Sequence, residues 1–457
     1  MARKMRDSGV EWIGEVPEGW EVNRLQWHLE ELVEKNDPIQ TTNILSLTND
    51  RGVIPYEDKG NVGNKAKENY TEYKLAYKNT IVANSMNVLI GSVGLSKYDG
   101  CVSPVYYIYK SKDSNSIRYY NYLFQLTPFQ KELRRYANGI LEIRLRVSSS
   151  DILKRSVPAP SFSEQRRIAD YLDEKCAAID GAVCELKRGI EDCKAWKKAI
   201  IFEAVTGKAN VLAASACAIR RRNCYGGQAA TADKKNAKVA KRQMRDSGIP
   251  WIGEIPEGWE VRRLKFIFDE ITDGSHFSPE GVADGMPYVT ATDIRGVGID
   301  FTKVKRISET DYNELVNNGC KVQLGDILLV KDGATTGRVG LMVEQVDCVA
   351  LSSVAMLRTK KYCNRFFMYV IFSELLQKQI MLAMAGSAMP RITISKLNEF
   401  LGVLPPLPEQ QAIADYLDEK CAAIDALVAE KEKLIADLET YKKSLIFEMV
   451  TGKREVA

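Results

Sequence analysis

The chain has 457 residues, 45% hydrophobic and 27% charged, with a formal net charge of +4. That is the make-up of a soluble globular protein too long for one ordinary core, so two or more domains are expected. No apolar run approaches the ~20 residues of a membrane-crossing helix and the polar, charged start does not read as a signal peptide, so a cytoplasmic location is expected. Ten cysteines form no CxxC pair and the only histidines are His28 and His276, which argues against a disulfide scaffold and a histidine-based metal site.

In chain order, the first recognisable block is MRDSGVEWIGEVPEGWEV at residues 5–22, and it returns as MRDSGIPWIGEIPEGWEV at 244–261. Further on, EQRRIADYLDEKCAAID at 164–180 returns as EQQAIADYLDEKCAAID at 409–425. Between the matched blocks, residues 27–160 and 266–405 look largely unrelated. A frame written twice around divergent inserts suggests that the frame has one job and the inserts another. The offset between repeats grows from 239 to 245, and at the larger value Arg146 falls on Arg391, with RVSSSDI over RITISKL. The last third of each insert is therefore built alike, and the middle is free to vary. Trp12, Trp20, Trp251 and Trp259 recur with the frame and read as packing anchors.

Each insert mixes short β-rich runs (80–82 and 102–109; 326–330 and 352–357) with Gly and Asn turns and one helical stretch, at 116–136 and 364–384. The pattern predicts an α+β fold. A proline-rich stop follows each insert, VPAPSFSEQ or LPPLPEQ, and then a long helix with an acidic first turn. In the first helix Leu172, Cys176, Ile179, Val183, Leu186, Ile190, Cys193, Ile200 and Ala204 repeat in steps of three and four, broken only at Lys197. In the second, Leu417, Cys421, Ile424, Val428, Ile435, Leu438, Leu445 and Met449 do the same, interrupted by Lys431 and Lys442. A 3.5-residue period predicts a coiled-coil seam, and Cys176 and Cys421 read as small apolar core residues. Each helix closes at a TGK glycine, Gly207 or Gly452, after about 42 residues or roughly 63 Å. Such a helix could simply cover its own insert. Two near-identical helices with narrow seams more naturally pair with each other, antiparallel, which relates the halves by a pseudo-two-fold axis.

The connection at 209–243 carries eight Lys/Arg against one Asp, a local +7 that leaves −3 for the rest of the +4 chain. It reads as a solvated linker, with a phosphate-contacting arm as the alternative. The first insert has 18 basic and 14 acidic side chains and the second, taken to residue 408, has 14 and 16. A sequence-blind binder of polyanions would show a larger excess, so nucleic-acid contact must rest on local patches. The expected segments are 1–160 and 244–408 as recognition domains, 161–208 and 409–457 as long helices, and 209–243 as linker.

Several chemistries are missing. There is no GxxxxGK[ST] phosphate loop, no FxGxG cofactor turn and no [ND]PP[YF] motif, so the chain is not expected to transfer methyl groups itself. Glu185 and Lys187 have the Glu-x-Lys spacing of a nuclease site but flank the seam residue Leu186, where a surface-charge reading prevails.

These motifs, each occurring twice in one order, resemble the DNA-specificity subunit of type I restriction–modification systems over essentially the whole chain. The second insert opens TDGSHFSPEGVADGMPYVTATDIRGVGID, similar to that family's DGxHxxP…GxPyvxaxDI pattern, and continues with GDILLVKDGATTGRVG and GSAMPRI. The first insert has ILSLTNDRGVIPYE, NSMNVLIGSVGLSKYDGCVSPVYY and ANGILEIRLRVSSSD instead, similar to another subtype, so the two half-sites should differ. The resemblance implies two target-recognition domains, each reading half of a split DNA target, and paired helices that fix the unread spacer. It implies methyltransferase and restriction/motor subunits as partners. S-adenosylmethionine, ATP and magnesium would belong to those partners, leaving this chain non-catalytic and without a cofactor. A remnant of a fused restriction–methylation enzyme is the alternative.

Base edges in the major groove are told apart by Arg on guanine, Asn or Gln on adenine and apolar groups on the thymine methyl. Glycine-bracketed polar loops suit this work because backbone can come close. In the first domain the candidates are Asn84, Ser85, Met86, Asn87, Arg144 and Arg146. In the second they are Thr272, Asp273, Ser275, His276, Lys331, Thr335, Thr336, Arg338, Arg391 and Lys396. Each alone fits a turn residue or surface charge as readily, and Arg146 and Arg391 stand out because they occupy one register position.

Overall fold

The computed structural model describes residues 3–48, 51–60, 69–112, 115–138, 145–211, 242–384 and 391–456. Most of the basic linker and all of Arg144 lie outside the described residues. The chain forms two compact units, Met1–Lys187 with Lys431–Ala457, and Arg188–Glu430. Both long helices are continuous, Phe162–Val205 and Leu407–Val450, with 44 residues each.

The centre of the first unit is a four-stranded antiparallel sheet. Its strands lie in the order Leu29–Leu32, Tyr106–Ser111, Ile81–Asn84, Val93–Leu95. The second unit has the same arrangement, in the order Glu270–Asp273, Val354–Arg358, Ile327–Val330, Val339–Leu341. The registers agree residue for residue: Ile81 sits opposite Leu95 and Tyr109, and Ile327 opposite Leu341 and Leu357. The inserts that look unrelated in sequence therefore share a core. Buried apolar positions on a strand tolerate exchange among residues of similar volume, which erases identity without moving the backbone. What surrounds the sheet does differ. The first unit adds the hairpin Leu45–Thr48 with Gly52–Pro55, whereas the second adds a three-stranded sheet and the helix Glu309–Asn317.

Three expectations need correction. The helix expected over 116–136 is two, Ile117–Phe124 and Thr127–Arg134, because Pro128 suits a first helical turn and not a helix interior. The stretch 364–384 likewise breaks into Asn364–Phe372 and Glu374–Met384, bent by 56° at Ser373. There Ser373 is extended (ψ 159°), and Gln377 Nε2 donates to the freed Ile371 carbonyl at 2.9 Å. The run at 102–109 is two strands, Gly100–Val102 and Tyr106–Ser111. The proline-rich stops also do more than end an insert. Ser156–Ala159 pairs with the frame strand Glu21–Arg24, and Leu401–Leu404 pairs with Glu260–Arg263, so each insert is closed at its base by its own frame.

Within the first unit the start of one long helix runs antiparallel to the end of the other: Arg167 donates to the Val456 carbonyl, and Asp180 meets Lys442 at 2.7 Å. Ile168, Leu172, Cys176 and Ile179 join Leu445, Ile446, Met449 and Val450 in the core that also holds Trp20 and the sheet. Within the second unit, Ile201, Ala204 and Val205 meet Ile413, Ala414, Leu417 and Cys421, and Lys197 pairs with Asp425 at 2.7 Å. Lys197 and Lys442, which break the apolar seam in sequence, thus occupy equivalent positions and each reaches a carboxylate on the facing helix. The half-buried stems keep the seam dry while the ammonium groups stay paired.

Other joints recur. The Trp20 indole donates to Glu164 and that of Trp259 to Glu409, both at 2.9 Å. Arg118 binds Asp170 and Asp173, and Arg365 binds Asp415 and Asp418. Gly452 (φ +72°) ends the second long helix against Pro17 and Trp20, and Gly207 (φ +74°) ends the first against Pro256 and Trp259. An added Cβ at Gly452 would lie 2.6 Å from Pro17, so glycine is required for close approach as well as for the left-handed turn.

Candidate nucleic-acid interface

Between the third and fourth core strands each unit carries a loop of the same length, SMNVLIGS at 85–92 and KDGATTGR at 331–338. Both are pinned at the same glycine. Gly91 (φ +83°) and Gly337 (φ +95°) each lie against a glutamine of the following helix pair, Gln130 or Gln377, where a Cβ would come within 2.9 and 2.7 Å respectively. Strand VGL follows in both units. The frame of the loop is common, and six of its eight side chains are chemically unlike.

In the first unit Asn84 closes its strand and its side chain accepts from the Met86 amide at 3.0 Å. Ser85 is buried, Met86 is half-buried, and Asn87 and Ile90 face solvent. Arg146 is exposed, lies in a short backbone bridge with Asn138, and places Nη2 3.7 Å from the Met86 sulfur. The structure therefore brings Asn84–Asn87 and Arg146 together in one patch.

In the second unit the candidates form a charged chain. Lys331, only 2% exposed, lies 3.2 Å from Asp273 and 3.1 Å from Asp332. A buried ammonium is costly unless paired and hydrogen-bonded, and the two carboxylates meet that need. The other oxygen of Asp332 is 3.2 Å from Nε of Arg391, whose backbone also bridges to Asp332. His276 is exposed with Nε2 3.7 Å from Asp273. Ser275 is buried and turns its hydroxyl to the Phe277 backbone, accepting from the amide at 3.0 Å and donating to the carbonyl at 2.8 Å. The glycine of DGSH serves this chain's own packing: a Cβ on Gly274 would lie 2.0 Å from the Ala350 carbonyl oxygen.

The remaining candidates are more dispersed. Thr272 lies on the edge strand with Asp273. Thr335 and Thr336 form the turn before Gly337, with the Thr336 hydroxyl donating to the Gly333 carbonyl at 2.7 Å. Thr336 and Arg338 line an open pocket of about 990 Å³ together with Lys198, Arg295, Gln377 and the apolar Ile201, Val339 and Phe372. Lys396 points elsewhere, donating to the Ala383 carbonyl in the last turn of a helix at 2.9 Å. Sequence reasoning passed over Asp332, although it follows Lys331 directly in VKDG. Its second partner, Arg391, lies 59 residues further on and cannot be seen in a local pattern. Among the described residues no cluster of His, Cys, Asp and Glu could hold a metal ion, and no single helix is long and apolar enough to cross a membrane.

A family profile for the type I restriction modification DNA specificity domain matches residues 17–180 and again 256–436. This chain belongs to that family. The two matched segments begin in the two copies of the frame and run through an insert into a long helix, as the repeat demands. The chain is 24% identical over 469 residues to a Methanocaldococcus jannaschii protein provisionally named the type I restriction enzyme MjaX specificity subunit, with 97% of this chain and 96% of that one covered. A chain from a structure on complex assembly and conformational transition of the type I R-M system superposes with a TM-score of 0.66 at 16% identity, covering 96% of this chain and 99% of that one. The HsdS subunit from Thermoanaerobacter tengcongensis gives 0.50 at 15%, over 96% and 98%. The protein is a DNA-specificity subunit, a type of subunit that performs no catalysis itself.

Proposed function

We propose that this specificity subunit reads an asymmetric, two-part duplex target, one half-site per unit, through the 84–87 turn with Arg146 in the first unit. In the second unit the reading groups are Thr272, Asp273, His276, Thr335, Thr336, Arg338 and Arg391, while the buried Ser275 and Lys331 support them from beneath and Lys396 is turned to the Ala383 carbonyl. The observation that carries this reading is the duplicated loop: one backbone frame presents SMNVLI in one unit and KDGATT in the other. A scaffold kept constant around exchanged polar and apolar tips suits the reading of two different base sequences. Arg338, Arg391 and Arg146, all exposed, supply cations for phosphate or guanine. Nearly balanced charge elsewhere keeps sequence-blind binding weak.

The paired helices set the spacer between half-sites and offer a platform for methyltransferase subunits, with the restriction/motor subunit completing the complex in the cytoplasm. Adenine methylation with S-adenosylmethionine, and cleavage driven by ATP and magnesium, belong to those partners. The test is to map methylated adenines across a host genome carrying the methyltransferase with and without this chain. A bipartite motif should appear only with the chain, and a hybrid with the 27–160 insert exchanged should keep one half-site and change the other. Methylation of DNA by the chain alone, or a hybrid that changes both half-sites, would overturn the proposal. Adding or removing one heptad in both long helices should alter the spacer by whole base pairs, at ~3.4 Å each.

A further inference from the structure

The two arginines that share one register position, Arg146 and Arg391, have different companions. In the four-stranded sheets Ile81 corresponds to Ile327, so the loop position occupied by Met86 in the first unit is held by Asp332 in the second. Arg146 therefore has a thioether beside its Nη2, at 3.7 Å, and Arg391 has a carboxylate beside its Nε, at 3.2 Å. We propose that Asp332 is a positioning residue that aims Arg391 at one guanine in the half-site read by the second unit, a device with no counterpart among the described residues of the first unit. The inference rests on the DNA-reading role proposed above.

The geometry gives Asp332 two fixed neighbours. Its Oδ2 accepts from the Lys331 ammonium at 3.1 Å, and that ammonium is itself buried and held by Asp273 at 3.2 Å. Its Oδ1 faces Arg391 Nε at 3.2 Å without a well-aligned hydrogen bond to any group among the described residues. The carboxylate thus keeps acceptor capacity for a guanidinium that settles on DNA. A carboxylate on Nε leaves Nη1 and Nη2 free to act together, and among the described residues neither takes another acceptor. A fork of two N–H donors matches guanine O6 and N7. Holding a flexible, 61%-exposed side chain in one orientation before binding lowers the entropy lost on contact. Without that aim the same charge would settle on a phosphate, which carries no sequence information.

The Lys331 ammonium also explains why a carboxylate is tolerated close to DNA. Asp332 and Asp273 bracket one buried cation, and Arg391 adds a second, so the negative charge is offset within the cluster. Among the described residues, Arg146 beside Met86 has no such anion. Met86 beside it and the exposed Ile90 of the same loop as Met86 offer apolar surface that suits a thymine methyl.

The test uses the full chain with its methyltransferase subunits and DNA duplexes bearing each of the four base pairs, in turn, at every position of the second half-site. The wild-type complex should prefer G·C at one position by roughly 5–150-fold, the range a good bidentate contact provides at 1.4 kcal/mol per tenfold. Arg391→Ala, Arg391→Lys and Asp332→Asn should each remove that preference and leave the other positions unchanged. Replacing that guanine by 7-deazaguanine should abolish the difference between wild type and Asp332→Asn. Should Asp332→Asn not fold, the charge-balanced double variant Lys331→Gln/Asp332→Asn replaces it. A uniform loss of affinity at all positions from Arg391→Ala would show a phosphate contact and overturn the proposal. So would Arg391→Ala acting alone while Asp332→Asn retains full preference. A wild-type complex with no sequence preference at all would instead sink the DNA-reading role itself.

Discussion

The joint at Gly452 lets a packing claim be tested by a single methyl group. In the first unit this residue has φ +72°, and an added Cβ would lie 2.6 Å from both Cγ and Cδ of Pro17 and 3.0 Å from Cη2 of Trp20. A side chain held in the left-handed region costs about 1–2 kcal/mol. Forcing a methyl group into a filled contact adds about 1–3 kcal/mol. Gly452→Ala should therefore destabilise the first unit by about 2–5 kcal/mol. Gly9→Ala is the matched control, with φ +69° and nothing within 4 Å of the new Cβ, so it should lose only the conformational share. At a urea slope of about 2 kcal/mol per molar, the two variants should differ in midpoint by about 0.5–1.5 M, followed by tryptophan fluorescence and far-ultraviolet circular dichroism. Gly207→Ala, aimed at Pro256 and Trp259, should repeat the effect in the second unit. Equal midpoints for Gly452→Ala and Gly9→Ala would refute the close contact between helix end and frame.

Acid should weaken the first unit through His28. This ring is 9% exposed, shares a 2.8 Å hydrogen bond with Asn115 and leaves Nε2 buried without a partner among the described residues. Burial depresses its pKa, reinforced by Lys112 and opposed by the Asn115 hydrogen bond and the charge of Glu21. The folded state then binds fewer protons than the unfolded one, so stability present above the ordinary value near 6.5 is lost as pH falls through it. His28→Leu should flatten that dependence, and urea midpoints at pH 5 and pH 8 that shift as much in the variant as in wild type would exclude His28 as the cause. Glu409, 8% exposed in its side chain, accepts from the Trp259 indole and pairs with Arg242. Glu409→Ala should cost about 1–3 kcal/mol by stranding that buried donor, while Glu409→Gln, which keeps an acceptor, should cost less. Differential scanning calorimetry that ranks the two alike would count against the indole contact.

The shared core behind dissimilar inserts has a general reason. Strand pairing depends on backbone register and on buried apolar volume, and many residue choices satisfy both. The glycines that pin the duplicated loop have fewer alternatives, and they survive at Gly91 and Gly337 within sequences that otherwise diverge. DGSH conveys a different lesson. Its glycine, Gly274, is demanded by the Ala350 carbonyl of its own chain, a reason that no local pattern around DGSH reveals.

By itself the sequence determined the repeat, the α+β character, the helix lengths, the seam positions and the equivalence of Arg146 with Arg391, because periodicity and duplicated blocks are properties of order along the chain. It also placed Lys331 and Arg391 among the candidates, though as separate charges. Only the tertiary structure decided that each long helix serves the core of both units, that Lys197 and Lys442 are paired across the seam, and that Asp332 stands between Lys331 and Arg391. Those facts depend on which distant residues meet. A contact of a few ångströms between residues tens or hundreds of positions apart leaves no local period or motif to read.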